Sequence, residues 1–259
     1  MNQTGMTPCH AGFFYLGGID MTPQEQLQKW ISESDNIVFF GGAGVSTESG
    51  IKDFRSVDGL YHETYDYPPE TILSHTFFTQ KPDEFYRFYR DKMICPNVKP
   101  NPAHLKLAEL ERAGKLKAVV TQNIDGLHQA AGSRTVYELH GSTHRNYCMK
   151  CRQFYDLDFI DRAKGVPYCT VCGGMIKPDV VLYEESLPGE VLEKSIRAIQ
   201  KADLLIVAGT SLTVYPAASL VHYYRGNRLV LINRDETPYD RYADLVFHES
   251  MGQIFENLP

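Results

Sequence analysis

Four cysteines could hold a metal ion. They stand in two C-x-x-C pairs, Cys148 with Cys151 and Cys169 with Cys172, and seventeen residues separate the pairs. This spacing is typical of zinc ribbons, in which two short turns place four thiolates around one tetrahedral ion. Four protein ligands leave no coordination position for water or substrate, so we expect a structural Zn²⁺. His144 is a spare candidate ligand, better interpreted as a surface residue.

A glycine-rich stretch, "GGAGVSTESGIKDFRS" at 41–56, follows an apolar run. Gly42 and Gly44 fit the start of the dinucleotide pattern G-x-G-x-x-G, but Thr47 stands where its third small residue belongs. The Walker A pattern is also missing. The glycines therefore leave two interpretations open, a phosphate-binding loop and a plain tight turn. The stretch ends with a carboxylate, an aromatic ring and a guanidinium: Asp53, Phe54 and Arg55.

Polar residues follow two later apolar runs. In "QNIDGLH" the amides of Gln122 and Asn123 suit ribose hydroxyls, and Asp125 suits a carboxamide, although an Asx turn would explain the last two without a ligand. His140 follows "TVYEL" and has the chemistry of a general base, with a hydrogen-bonded structural role as the alternative. We interpret His128 as structural.

Two more polar loops follow apolar runs near the end of the chain. "VAGTSL" at 207–212 has the small residues and hydroxyls of a second phosphate-facing loop. In "LINRDE" at 231–236, Asn233 suits the ribose of an adenosine. Because open parallel sheets bind ligands at the carboxyl ends of their strands, we expect all these loops to face one crevice.

The elements that must position these residues alternate along the chain. Near-continuous apolar runs predict strands at 36–40, 117–121, 135–139, 204–208, 229–232 and 245–247. Helical patterns lie at 23–33, 101–113, 187–201 and 217–225. This alternation predicts a Rossmann-type, doubly wound parallel α/β sheet. We assign the parallel-sheet domain to 21–55, 99–147 and 178–259, and a smaller domain to a helical insert at 56–98 and the zinc ribbon at 148–177.

Composition excludes several classes of protein. The chain has 259 residues and a formal net charge of −6, whereas a nucleic-acid binder is usually basic. No stretch approaches the ~20 apolar residues of a membrane span. Residues 1–20 lack the basic start and long apolar core of a secretion signal, so we interpret them as an extension outside the fold. We therefore expect a cytoplasmic protein with reduced cysteines.

Taken together, the motifs resemble those of the sirtuins, the NAD-dependent protein deacylases, of the bacterial type. The matching pieces occur in family order and span nearly the whole chain after residue 36: "GAGVSTESGIKDFR", "TQNIDGLH", "ELHG", both C-x-x-C pairs, "KPDVVLYEE", "GTSLTVYPA" and "LINRDET". The resemblance implies a Rossmann-type domain and a small zinc-containing domain with a cleft between them. It also implies NAD as a co-substrate that is consumed rather than reduced.

The resemblance implies a reaction and its residues. The acyl-lysine oxygen attacks the nicotinamide ribose and nicotinamide leaves, with Asn123 and His140 as catalytic residues and His140 as the general base. Water is consumed, and lysine and O-acyl-ADP-ribose are the other products. The implied NAD contacts are Ala43, Gly44, Ser46, Thr47, Asp53, Phe54, Arg55, Gln122, Asn123, Ile124, Asp125, His140, Thr210, Ser211, Asn233 and Arg234. The implied substrate contacts are Phe54, Val181, Tyr183, Glu184, Glu185 and Val214.

The chain departs from the family pattern in three places. Lys52 replaces a Pro that would stiffen the cofactor loop. "LYEE" replaces the more usual "FGE" ending of the loop that pairs with the substrate backbone. Tyr86-x-x-Tyr89 stands where sirtuins that remove acidic acyl groups carry Tyr-x-x-Arg, which favours neutral acyl groups here.

Three other functions are alternatives to deacylation. A mono-ADP-ribosyltransferase on the same fold would also release nicotinamide. A zinc-dependent dehydrogenase conflicts with the closed zinc site and the incomplete dinucleotide pattern, and a non-catalytic zinc-ribbon module conflicts with the acidic charge and His140. As partners we expect acylated-lysine proteins or peptides, without direct nucleic-acid or membrane binding, and we expect a monomer.

Overall fold

The computed structural model describes residues 21–53, 59 and 65–258. Within these residues, six strands form a parallel sheet in the order β3-β2-β1-β7-β8-β9. This order reverses between β1 and β7, as in doubly wound nucleotide-binding sheets. The strands are β1 Ile37–Gly41, β2 Leu116–Thr121, β3 Val136–Glu138, β7 Leu204–Ala208, β8 Leu229–Ile232 and β9 Leu245–Phe247.

Helices cover both faces of this sheet, which is why β1, β7 and β8 are buried at every position. One apolar core joins the sheet to α1, α5 and α9. A second core joins the opposite face to α8 and to a 3₁₀ helix at Ala217–Tyr223. The helices are α1 Pro23–Glu33, α5 Pro102–Arg112, α6 Leu127–Ala130, α8 Gly189–Lys201 and α9 Met251–Glu256.

A smaller antiparallel sheet, in the order β5-β4-β6, carries the cysteine pairs. Its strands are β4 Gly141–Cys148, β5 Phe154–Tyr155 and β6 Ile176–Val180. It shares a third apolar core with the helical insert, whose described helices are α2 Pro69–Ile72, α3 His75–Gln80 and α4 Pro82–Phe88, followed by a π-helical turn at Tyr89–Met93. Helix α7, Leu157–Arg162, packs beside β4.

Two sheets of different type are thus joined through β4, which begins one residue after His140 and ends at Cys148. Arg145 of β4 reinforces the junction, because it donates to Glu138 of β3 at 2.6 Å and to Asp179 of β6 at 2.8 Å. No helix among the described residues is long and apolar enough to cross a membrane.

The predicted elements are found with shifted ends. Helix α1 spans 23–33 as predicted, because Thr22 and Glu25 form a capping box before Pro23. The helix predicted at 187–201 begins only at Gly189, after Pro188. The helix predicted at 217–225 is wrong in type, since it is a 3₁₀ helix whose first turn closes with Ser219 N–H donating to Pro216 O.

Candidate active site and metal centre

A crevice of about 790 Å³ opens at the carboxyl edge of the parallel sheet. It lies where the strand order reverses, which is the ligand-binding position of such sheets. All four polar loops identified in the sequence line it. The site residues named above that line it are Ala43, Gly44, Ser46, Thr47, Asp53, Gln122, Asn123, Ile124, Asp125, His140, Val181, Tyr183, Glu184, Glu185, Thr210, Ser211, Val214, Asn233 and Arg234.

The glycines of the cofactor loop serve a close backbone contact. Gly44 N–H donates to Gly209 O at 2.8 Å. A Cβ at Gly44 would lie 2.7 Å from Gly209 Cα, and one at Gly209, where φ is +59°, would lie 2.4 Å from Val45 N. The loops after β1 and β7 are therefore packed against each other with no room for a side chain at either glycine.

Polar side chains from three loops form two hydrogen-bonded groups in the crevice. Asn123 Nδ2 donates to Ser46 Oγ at 3.0 Å, and Ser46 Oγ donates to Asp125 Oδ2 at 2.6 Å. Gln122 Nε2 donates to Thr210 Oγ1 at 3.0 Å. The other oxygen of Asp125 accepts from Leu127 N–H at 2.9 Å, which is the Asx turn weighed for this loop. Asp125 thus closes a turn and also faces the crevice.

His140 has the protonation state that a general base requires. Its Nδ1 lies 3.0 Å from Gln122 O. A carbonyl oxygen only accepts, so Nδ1 carries the proton and Nε2 keeps its lone pair. Burial lowers the pKa of His140 below its ordinary value, and the hydrogen bond to Gln122 offsets this in part. The ring is therefore neutral near pH 7, with Nε2 as its basic atom.

Two further histidines lie behind the cofactor loop. His104 and His128 are fully buried, with ring centroids 4.7 Å apart. His104 Nδ1 lies 2.9 Å from Asn101 Oδ1, and Asn101 Nδ2 donates to Val45 O at 2.7 Å. Burial lowers the pKa of His104 to about 4 and that of His128 to about 3. Both rings are neutral packing elements beneath the loop, as expected for His128.

The segment after β6 is bonded to the helical insert. Tyr183 N–H donates to Leu73 O and His75 N–H donates to Tyr183 O, both at 3.0 Å, so that Tyr183 forms a parallel bridge with Ser74. The Glu185 carboxylate lies 2.9 Å from His75 Nδ1 and accepts from Lys177 Nζ at 3.0 Å. This segment forms one wall of the crevice.

Residues at the start of the C-terminal helix also line the crevice. Glu48 Oε1, from the loop after β1, accepts from Ser250 Oγ at 2.7 Å and from Gly252 N–H at 3.0 Å. Asn233 Nδ2 donates to Asp235 O at 2.7 Å, which fixes the loop after β8. Glu48 therefore ties the start of α9 to the loop that follows β1.

The four cysteines form a compact metal-binding cluster. Their sulfurs all lie within 4.8 Å of one another, with Cys148 to Cys172 at 3.4 Å and Cys151 to Cys169 at 3.5 Å. Backbone N–H groups of Lys150 and Cys151 point to Cys148 Sγ at 3.4 Å, which stabilises a thiolate. The donor set fits one Zn²⁺ held by four thiolates. His144 lies outside it, with Nε2 3.0 Å from Asp125 O.

The Sir2 family model matches residues 42–216, which is more than half of the chain. The chain belongs to the Sir2 family. It is similar to bacterial sirtuins named NAD-dependent protein deacetylase. One, from Clostridium perfringens, is 60% identical over 232 residues, covering 88% of this chain and 95% of the relative. Another, from Clostridium acetobutylicum, is 57% identical over 236 residues, covering 90% and 96%.

Solved structures of sirtuins have the same fold. A Sir2 variant with a deacetylated peptide and 3′-O-acetyl-ADP-ribose superposes with a TM-score of 0.83 at 38% identity, covering 90% of this chain and 96% of that one. A Sir2 bound to an acetylated peptide gives a TM-score of 0.80 at 39% identity, covering 91% and 96%. The predicted family, fold class and zinc-binding cluster are thus confirmed for this sirtuin.

Some lining residues of this sirtuin were not singled out as site residues from the sequence. They reach the crevice through tertiary packing: Glu48, Leu73, Lys92, Met93, Cys95, Tyr215, Ser250 and Met251. Tyr86 and Tyr89, by contrast, are fully buried in the small-domain core and do not line the crevice, and Tyr86 Oη donates to Ile176 O. Phe54, Arg55 and the extension at 1–20 lie outside the described residues.

Proposed function

We propose that this sirtuin removes acyl groups, including acetyl, from protein lysines and transfers them to ADP-ribose with NAD as co-substrate. The observation that carries the proposal is His140, neutral and with Nε2 available as a base, in the same crevice as the family's nucleotide-binding loops. The relatives named NAD-dependent protein deacetylase cover nearly the whole chain. NAD, when bound, supplies the ribose that accepts the acyl group.

The NAD site that we propose extends across the carboxyl edge of the sheet. Gln122, Asn123 and Asp125 provide amide and carboxylate groups for the ribose and carboxamide, and His140 Nε2 takes a proton from a ribose hydroxyl. The two packed glycine loops allow the backbone to approach the phosphates closely. Asn233 and its neighbours contact the adenosine end of NAD. The complete proposed set is Ala43, Gly44, Ser46, Thr47, Asp53, Phe54, Arg55, Gln122, Asn123, Ile124, Asp125, His140, Thr210, Ser211, Asn233 and Arg234.

For the acyl-lysine peptide we propose the wall formed by the segment after β6. Val181 and Tyr183 contact the side chain, while backbone groups near Glu184 and Glu185 pair with the peptide as an added β-strand. Val214 and Phe54 complete the proposed substrate contacts. A preference for neutral acyl groups stays a prediction, because Tyr86 and Tyr89 are core residues and Lys92 lines the crevice.

The remaining predictions concern organisation and location. We propose the domain division given above, a monomeric enzyme without nucleic-acid or membrane binding, and a cytoplasmic location. The cysteine cluster supports this location, since four clustered thiols need a reducing compartment to stay available for Zn²⁺. The zinc is structural, because its four thiolate ligands leave no position for a reactant.

Mass spectrometry of an acylated peptide incubated with NAD tests the proposal. We expect the peptide to lose its acyl group while nicotinamide and O-acyl-ADP-ribose appear in equal amounts. A panel from acetyl to long-chain acyl, with succinyl included, defines the acyl preference. A peptide that gains the mass of ADP-ribose instead would make the chain a mono-ADP-ribosyltransferase and overturn the proposal.

A further inference from the structure

Glu184 has a backbone conformation that glycine normally supplies. Its φ is +74°, in the left-handed region that non-glycine residues rarely adopt. When "LYEE" is aligned with the usual "FGE" on the final glutamate, Glu184 stands in the place of the glycine. The chain therefore keeps the glycine-type turn and adds a charged side chain to it.

The added carboxylate has a defined partner in the helical insert. Glu184 Oε2 accepts from Thr76 N–H at 2.9 Å and from Thr76 Oγ1 at 2.7 Å. These bonds lower the pKa of Glu184, so the carboxylate is charged near neutral pH. Because Thr76 lies in the first turn of α3, the two bonds connect the left-handed residue directly to the insert.

The backbone beside Glu184 is held from the same side. Tyr183 uses its N–H and C=O on Leu73 and His75 of the insert. Glu184 itself lies in a turn, which Glu185 N–H closes by donating to Leu182 O at 3.0 Å. The structure gives no hydrogen bond to the N–H or C=O of Glu184 within its described part, and Glu184 lines the crevice. Glu184 thus presents an edge of two unpaired backbone groups at the crevice wall.

We propose that Glu184 is a positioning residue for the acyl-lysine peptide, whose bonds to Thr76 hold this edge ready for backbone pairing. A glycine could adopt the same conformation, but it would also populate many other backbone conformations. The carboxylate restricts the segment before the peptide arrives, which lowers the ordering cost of binding. The inference rests on the proposed peptide site.

Kinetics of Glu184 and Thr76 variants test the inference. For Glu184→Ala we expect KM for an acetyl-lysine peptide to rise about five-fold, with kcat and KM for NAD within about two-fold of wild type. Glu184→Gly should give a smaller rise, because it removes the bonds but relieves the left-handed backbone. Thr76→Val removes the hydroxyl donor and should also raise the peptide KM. Thr76→Ser keeps the hydroxyl, so its peptide KM should equal that of wild type.

A double variant and a control make the test specific. Adding Thr76→Val to Glu184→Ala should cause little further increase, because both changes break the same contact. Glu193→Ala, which removes an exposed carboxylate paired with Arg197 on α8, should leave every constant unchanged. Fluorescence anisotropy of a labelled acetyl-lysine peptide, measured without NAD, should give the same order of affinities as the KM values.

Each outcome decides the inference. A peptide KM for Glu184→Ala within two-fold of wild type overturns it, as does a parallel loss of kcat, NAD affinity and thermal stability. Absence of peptide binding by the wild-type protein in the anisotropy measurement also overturns it. Failure of the proposed function is read separately, from the absence of O-acyl-ADP-ribose in the wild-type reaction.

Discussion

The cysteine cluster and the crevice need very different lengths of chain. The cluster takes its four sulfurs from the 25 residues between Cys148 and Cys172, whereas the crevice is lined from Gly42 to Met251. The cluster has no position left for a reactant, while the crevice contains the neutral His140 ring and has a volume of about 790 Å³. One region therefore stabilises the fold locally, and the other brings distant loops together for chemistry.

Substitution of His140 should have the largest effect, and it tests whether the crevice and the cysteine cluster have separate roles. His140→Ala removes the only basic nitrogen that we assign to the reaction, so kcat for deacylation should fall about 10³-fold. Product formation is measured by mass spectrometry and zinc content by metal analysis. Zinc content and the unfolding midpoint should stay at wild-type values. Near-normal turnover would contradict the assigned role of His140, and loss of zinc would show that the metal cluster depends on His140.

Loss of one cysteine ligand tests the structural role of the metal cluster. Cys148→Ala should release the metal and lower the free energy of unfolding by at least about 3 kcal/mol, because zinc binding supplies folding free energy to the small sheet. Cys95→Ala is the matched control, since this half-buried cysteine lies outside the cluster and its variant should retain zinc. Full activity of Cys148→Ala without bound metal would refute the structural role.

The buried pair His104 and His128 makes the free energy of unfolding sensitive to acid. The pKa values of His104 and His128 lie below 6.5 in the folded protein, so only the unfolded chain takes up protons there as the pH falls. Their stabilising contribution is complete above about pH 6.5 and declines down to about pH 4 and pH 3. The free energy of unfolding should therefore fall by about 2 kcal/mol or more from pH 7 to pH 5.

Denaturant unfolding at several pH values measures this effect. The slope of stability against pH should be smaller for His128→Phe than for wild type, while zinc release contributes equally to both. Nitrogen NMR of the imidazoles offers a direct check, in which both rings should remain neutral at pH 5. Protonated rings in the folded protein at that pH would contradict the prediction.

The smallest effect concerns the contact between Glu48 and α9. Glu48→Ala removes the acceptor for Ser250 and Gly252, so we expect KM for NAD to rise about three-fold as the loop after β1 loosens. KM for the peptide should not change, since Glu48 makes no hydrogen bond to the segment after β6 within the described residues. Glu256→Ala, an exposed carboxylate at the end of α9, serves as the control. An increase confined to the peptide KM would contradict this prediction.

Sequence reasoning found what depends on local pattern. The cysteine spacing identified the metal cluster, and the buried apolar runs identified the strands. It did not find Leu73 or Lys92, because these residues reach the crevice only through the packing of the helical insert. Tyr86 and Tyr89, which the pattern matched to the Tyr-x-x-Arg motif, are buried rings of the small-domain core.

The glycine-rich loop shows why its role stayed open in the sequence. A glycine needed for phosphate and one needed for backbone packing look identical in a pattern. The structure shows that Gly44 meets Gly209, which is 165 residues away in the chain. No local signal could reveal this contact, although both loops were identified separately as candidates for phosphate binding.

Strand β4 has a mechanical consequence for the enzyme. It begins beside His140 and ends at Cys148, and Arg145 ties its middle to Glu138 and Asp179. A tilt of the small sheet would therefore displace His140, because β4 connects the two and Arg145 fixes the strand between them. Cells depleted of zinc would then lose deacylation through a displaced histidine, well before the parallel sheet itself unfolds.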